Sequence, residues 1–129
     1  MPELVGVRTE QAPAPFRGAP YSQAVKLGDL VFISGQIAID PETNSFAGGS
    51  VSEQTTRVFA NLAAILDAAG SSLGRVARTT VYLADIDDFD TMNEVYSQHV
   101  DQPAPARTTI EVSRLPAGAL IEIDVIAHT

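Results

Sequence analysis

The chain has 129 residues, 45 % of them apolar, and no cysteine; that suits one domain with one core and a reducing compartment, and it excludes disulfides, cysteine-ligated zinc and a thiol nucleophile. A formal net charge of −8 is repelled by phosphate backbones, so no nucleic-acid partner is expected. Met1-Pro2-Glu3-Leu4-Val5 lacks the basic and apolar regions of a signal peptide, and the longest apolar run, Leu30-Val31-Phe32-Ile33, is only a strand's worth, so the expectation is a soluble, cytoplasmic protein with no membrane span.

Residues 1–20 contain Pro2, Pro13, Pro15 and Pro20 and read as an extended arm with at most one short strand. A strand begins over Ser22–Leu27, Gly28-Asp29 signals a turn, and Leu30–Ile39 reads as a second strand containing Ser34-Gly35-Gln36. Asp40–Asn44 is a turn, and Gly48-Gly49 closes a loose connection. Ser50-Val51-Ser52-Glu53 is a capping box, after which Val51, Thr55, Val58, Phe59, Leu62, Ile65, Leu66 and Ala69 recur at helical spacing until Gly70. Val76–Ala84 reads as a strand rich in β-formers. Asp85 or Asp87 caps a second helix whose apolar stripe is Phe89, Met92, Tyr96 and Val100, and Pro103 and Pro105 stop it. Residues 105–127 read as two strands joined at a Leu115-Pro116-Ala117-Gly118 turn. The order β-β-α-β-α-β-β predicts a single α+β domain over residues 1–129, a mixed sheet carrying two helices.

Two helices cover only one face of such a sheet. The last strand nevertheless directs Ile121, Ile123, Val125 and Ala127 to one side and Leu120 and Ile126 to the other, beside Glu122 and Asp124. A homo-oligomer that uses the uncovered face or the sheet edges is therefore expected.

The acids Asp85, Asp87, Asp88, Asp90 and Glu94 fit the first turns of a helix better than a metal site, because the macrodipole favours negative charge there by about 0.3–1 kcal/mol each. His99 and His128 stand far from any acid or second histidine at ligand spacing and read as surface residues. Ser34 has no base nearby in sequence and by itself reads as a strand hydroxyl. Strand alternation places Arg107, Thr109, Glu111 and Ser113 on one face. From spacing alone, Arg107 is either an anion-binding group or a surface arginine paired across strands with Glu122 or Glu111. Glu122, between Ile121 and Ile123, is either a working carboxylate or a half-buried one satisfied by that same arginine. Tyr21, after Pro20, is either the rim of a pocket or a packing residue.

The segment Pro105-Ala106-Arg107 through Arg114-Leu115-Pro116 to Ile121-Glu122-Ile123 resembles the Rid family (reactive intermediate deaminases, also called the YjgF family). Pro20-Tyr21-Ser22-Gln23-Ala24, Ser34-Gly35-Gln36-Ile37, Ala68-Ala69-Gly70 and Asp88-Phe89 with Met92-Asn93-Glu94-Val95-Tyr96 extend the likeness from about Ala12 to Ala127. The resemblance implies a chorismate-mutase-like fold and a homotrimer with a ligand pocket at each subunit interface. It implies cofactor-independent hydrolysis of 2-imino acids or their enamine tautomers, such as 2-iminobutanoate and 2-iminopropanoate, to 2-oxo acids and ammonia.

By matching position, the resemblance makes Arg107 the group that holds the substrate carboxylate and Glu122 the acid that places the attacking water. Tyr21, Ser34, Gly35, Thr109 and Asn93 become pocket residues. Thr109 stands where many members carry cysteine, and Ala38 replaces a common proline. The competing expectation is a non-enzymatic trimer that binds small carboxylates or other proteins, with the same fold and Arg107 but no chemical role for Glu122.

Overall fold

The computed structural model describes residues 2–129. Its strands are β1 (Leu4–Val7), β2 (Ala24–Leu27), β3 (Leu30–Gln36), β4 (Ile39–Asp40), β5 (Ser45–Phe46), β6 (Val76–Leu83), β7 (Ala106–Glu111) and β8 (Ile121–His128). Its helices are α1 (Val51–Ala68) and α2 (Phe89–Tyr96). The α+β class with a mixed sheet is as the sequence predicts. The order in the main six-stranded sheet is β1-β2-β3-β8-β6-β7, antiparallel throughout except for the parallel pair β6–β7.

Several details depart from the sequence reading. The strand expected over Leu30–Ile39 ends at Gln36, and its ladder with β8 shifts register between Ile33 and Gln36. Ser34 and Gly35 occupy that bulge, and Ile39–Asp40 instead pairs with Ser45–Phe46 in a separate two-stranded sheet. The second helix ends at Tyr96, short of Val100. The two final strands are not neighbours. Residues 112–120 cross over β6, which lies between β7 and β8.

Ser50 caps α1 as its spacing predicts. Its hydroxyl accepts from the Glu53 amide, and the Glu53 carboxylate accepts from the Ser50 amide. Caps of this kind typically stabilise a helix by about 1 kcal/mol. The apolar stripe of α1 (Val58, Phe59, Leu62, Ile65, Leu66) packs on Val31, Ile33, Ile121, Ile123 and Val125 in one core. Two buried amides on α1 fix chain segments beyond it: Asn61 donates to the Ile39 carbonyl at 2.9 Å, and Gln54 accepts from the Leu120 amide at 2.9 Å. Asp85 accepts from the Asp87 amide in the short 3₁₀ turn that precedes α2, so the acidic run serves a helix start.

The opposite sheet face carries no helix. Leu4, Leu27 and Leu30 stand side by side in register there and are all exposed. Phe32 and Ile126 form the adjacent row. No helix among the described residues is long and apolar enough to cross a membrane.

Candidate functional site

The candidate residues fall into two groups on opposite faces of the sheet. Thr79 and Arg107 are register partners in the parallel pair β6–β7, and Val81 pairs with Thr109. The Thr79 hydroxyl lies 2.8 Å from the Tyr96 hydroxyl on α2, so this row faces the helices. Glu122 pairs with Tyr82, which alternates with the buried Val81 and Leu83 and therefore faces the open side. Arg107 and Glu122 of one protomer thus point away from each other, which rules out the cross-strand pair. Glu111 is also engaged elsewhere, accepting from the Ile86 amide at 3.0 Å.

On the helix side, the Arg107 guanidinium lies 4.7 Å from the Tyr96 ring centre and 5.4 Å from that of Phe89. Cation–π contact holds the charge against α2, whose first and last residues these rings are. Asn93 lies between these rings in sequence, four residues after Phe89 and three before Tyr96, so it shares their helix face. Its Oδ1 is buried without a hydrogen-bond partner among the described residues, as is the Thr109 Oγ1. Such groups ordinarily find partners, so two of them flanking a guanidinium suit a polar ligand there. His99, expected at the surface, instead stacks on Phe59 with ring centres 4.6 Å apart, and its burial holds its pKa below the usual histidine value. The apolar stripe of α1 includes Phe59, and the flat imidazole completes its aromatic packing.

The open side holds a cavity of about 390 Å³ in which Tyr21, Ser34, Gly35 and Glu122 meet. The bulge in β3 brings Ser34 and Gly35 there. Gly35 is required by proximity: a Cβ built on it would lie 2.8 Å from the Glu122 Cδ and closer still to a carboxylate oxygen. The Ser34 hydroxyl donates to the Ser22 carbonyl at 2.6 Å, a structural engagement. The Tyr21 hydroxyl accepts from the Phe16 amide at 2.6 Å, which leaves its own proton free to donate. Burial first, and then the negative charge of Asp124, raise the Glu122 pKa above the ordinary carboxylate value. Asp124 is itself held by the Tyr82 hydroxyl, which donates to it at 2.9 Å.

The remaining walls went unforeseen in the sequence: Pro13, Ala14, Phe16 and Ala19 from the arm, Gln36, Ile37 and Ile39 from the bulge onward, and Pro116. The arm's proline spacing reveals extension but not what the arm packs against. A larger depression of about 750 Å³ lies on the far side of the arm, around Arg8, Thr9 and Asn44. It contains neither Glu122 nor Arg107.

The family model described as "Endoribonuclease L-PSP" matches residues 9–129. A RutC family protein of Pyrococcus abyssi is 52 % identical over 120 residues, 93 % of each chain. The human 2-iminobutanoate/2-iminopropanoate deaminase is 42 % identical over 127 residues, 98 % of this chain and 93 % of its own. Among solved structures, Escherichia coli TdcF with bound serine superposes with a TM-score of 0.88 at 38 % identity, covering 96 % of this chain and 98 % of its own.

Proposed function

The chain belongs to the Rid family, and from that premise we propose that it hydrolyses 2-imino acids and their enamine tautomers, 2-iminobutanoate and 2-iminopropanoate among them, to 2-oxo acids and ammonia. The observation that carries this reading is the open-face cavity, where a half-buried Glu122 with a raised pKa stands against a glycine that leaves room beside it. The human relative's name and the serine bound to the E. coli relative support a small amino-acid-like substrate.

In this reading the site is shared between protomers of a homotrimer. Arg107 faces the helices at the sheet edge and Glu122 faces the open side, so one ligand can meet both only where two copies join. The exposed row Leu4, Leu27 and Leu30 gives the open face an apolar surface to bury. Arg107 of one protomer grips the substrate carboxylate through two parallel hydrogen bonds, with Asn93 and Thr109 beside it. Glu122 of the neighbour orders a water against C2. As the water oxygen bonds to C2, Glu122 takes its proton and the imine nitrogen gains one, giving a carbinolamine. The hydroxyl proton then passes by way of Glu122 to the amine nitrogen, the C–N bond breaks with its electron pair leaving on nitrogen, ammonia departs and the C=O bond forms. Tyr21 and the backbone at Gly35 bound the polar end of the cavity.

The family description also names an endoribonuclease. A net charge of −8 disfavours RNA, and no histidine lines the cavity, so the hydrolytic deaminase is the reading we adopt.

The test supplies the imine in situ from a pyridoxal-phosphate-dependent threonine dehydratase and follows 2-oxobutanoate and ammonia. The expected result is product release well above the spontaneous rate. Binding of 2-oxobutanoate with no acceleration would instead identify a carboxylate-binding module.

A further inference from the structure

Among the side chains that hold the arm walling the cavity, Gln23 makes the most hydrogen bonds; Asn44 accepts from the Ala14 amide at 3.0 Å and Tyr21 from the Phe16 amide. Gln23 is only 4 % exposed. Its Nε2 donates to the carbonyls of Thr9 at 3.0 Å, Ala12 at 3.2 Å and Pro13 at 2.8 Å, and its Oε1 accepts from the Thr9 amide at 2.7 Å. Its own carbonyl accepts from the Ser34 amide at 3.0 Å. A single residue therefore ties residues 9–13 to the bulge that carries Ser34 and Gly35.

What it positions is apolar. Beyond Pro13 the arm presents Ala14, Phe16 and Ala19 to the cavity, opposite Ile37 and Ile39. Phe16 packs against the small cluster of Ile37, Ile39 and Ala119. The polar groups (Glu122, Ser34 and Tyr21) line the same cavity. A ligand whose acid is held by the neighbouring protomer's arginine and whose C=N or C=O group meets these polar groups has only this apolar wall left for its side chain.

We propose that Gln23 is a positioning residue for substrate side-chain selection: by anchoring the arm, it sets the wall against which the side chain at C3 and beyond packs. This rests on the deaminase reading for the identity of the ligand. The lost contact grows with apolar side-chain area, whereas the acid head group is held elsewhere, so loosening the arm penalises large side chains more than small ones.

The experiment measures Kd by calorimetry for 2-oxopropanoate, 2-oxobutanoate and 4-methyl-2-oxopentanoate on the assembled protein, wild type against Gln23→Glu. Glutamate keeps the acceptor for Thr9 and loses the donors to the three carbonyls. The expected outcome is a Kd at least about tenfold weaker for the branched acid, with less than about a twofold change for 2-oxopropanoate. An equal weakening of all three acids, or none, overturns the proposal. Phe16→Ala removes the wall without touching the anchor and is expected to reproduce the size-graded pattern; it decides the matter if Gln23→Glu does not fold. Wild-type turnover of the corresponding imines, measured alongside, separates the two ideas: graded binding without turnover retains the wall and defeats the deaminase reading.

Discussion

Glu122→Gln is expected to lower kcat by about 10²–10⁴-fold, the usual contribution of a positioned base, while leaving 2-oxobutanoate binding largely intact. The amide keeps the size and half-buried position of the carboxylate but cannot take a proton from water. If the proposed deaminase reading holds, the wild-type protein should lose activity on the acid side as Glu122 is protonated, at a pH set by its raised pKa. Asp124→Asn removes one of the two causes of that shift and should move the acid limb to lower pH, since the ionised base then persists further into acid. The sign for stability runs oppositely to that of a paired carboxylate. A folded-state pKa above the unfolded one means that stability falls as pH rises from the unfolded to the folded value. Glu122→Gln therefore escapes that loss and should fold at neutral pH, so a kinetic defect cannot be ascribed to unfolding. Unchanged kcat in a folded, assembled Glu122→Gln protein, measured by ammonia release, would remove Glu122 from the mechanism.

Arg107→Ala is expected to lower kcat/KM by at least about 30-fold, the equivalent of roughly 2 kcal/mol for a lost charged contact. Part of the guanidinium's present stabilisation is aromatic, through Tyr96 and Phe89. Arg107→Lys should therefore recover little, because an ammonium cannot offer a carboxylate the planar two-point grip. The decisive readout is turnover of 2-iminobutanoate with the oligomer verified by light scattering. Wild-type turnover by an Arg107→Ala protein with the wild-type assembly state would defeat the assignment of the carboxylate site.

The elements were legible wherever a strong local rule operated. The Ser50–Glu53 capping box and the apolar stripe of α1 act within a few residues, and the structure carries both. The crossing of β6 between β7 and β8 was not legible, because two apolar strands joined at a Pro-Gly turn look the same whether or not a third lies between them. That crossing separates Arg107 from Glu122 and puts them on different faces, which alternation within each strand could not reveal. The bulge at Ser34-Gly35 was likewise hidden, since the side chain that Gly35 makes room for, Glu122, lies on a strand far away in sequence. Buried amides are a further blind spot. Nothing in the pattern around Gln23, Gln54 and Asn61 singles them out, yet they tie the arm, the entry to β8 and β4 in place through backbone groups no side-chain pattern displays. His99 was misread for a related reason, because its partner is a ring on α1, forty residues earlier in the chain.

The shared site can be tested by mixing two inactive proteins. Arg107→Ala and Glu122→Gln subunits, unfolded together and refolded in equal amounts, assort at random. If each site takes its arginine from one protomer and its carboxylate from the neighbour, about one quarter of the interfaces carry both wild-type groups. The account predicts recovery of deaminase activity to about that fraction of wild type. Activity no greater than the sum of the two parents, in a mixture shown to contain hybrid trimers, would contradict it.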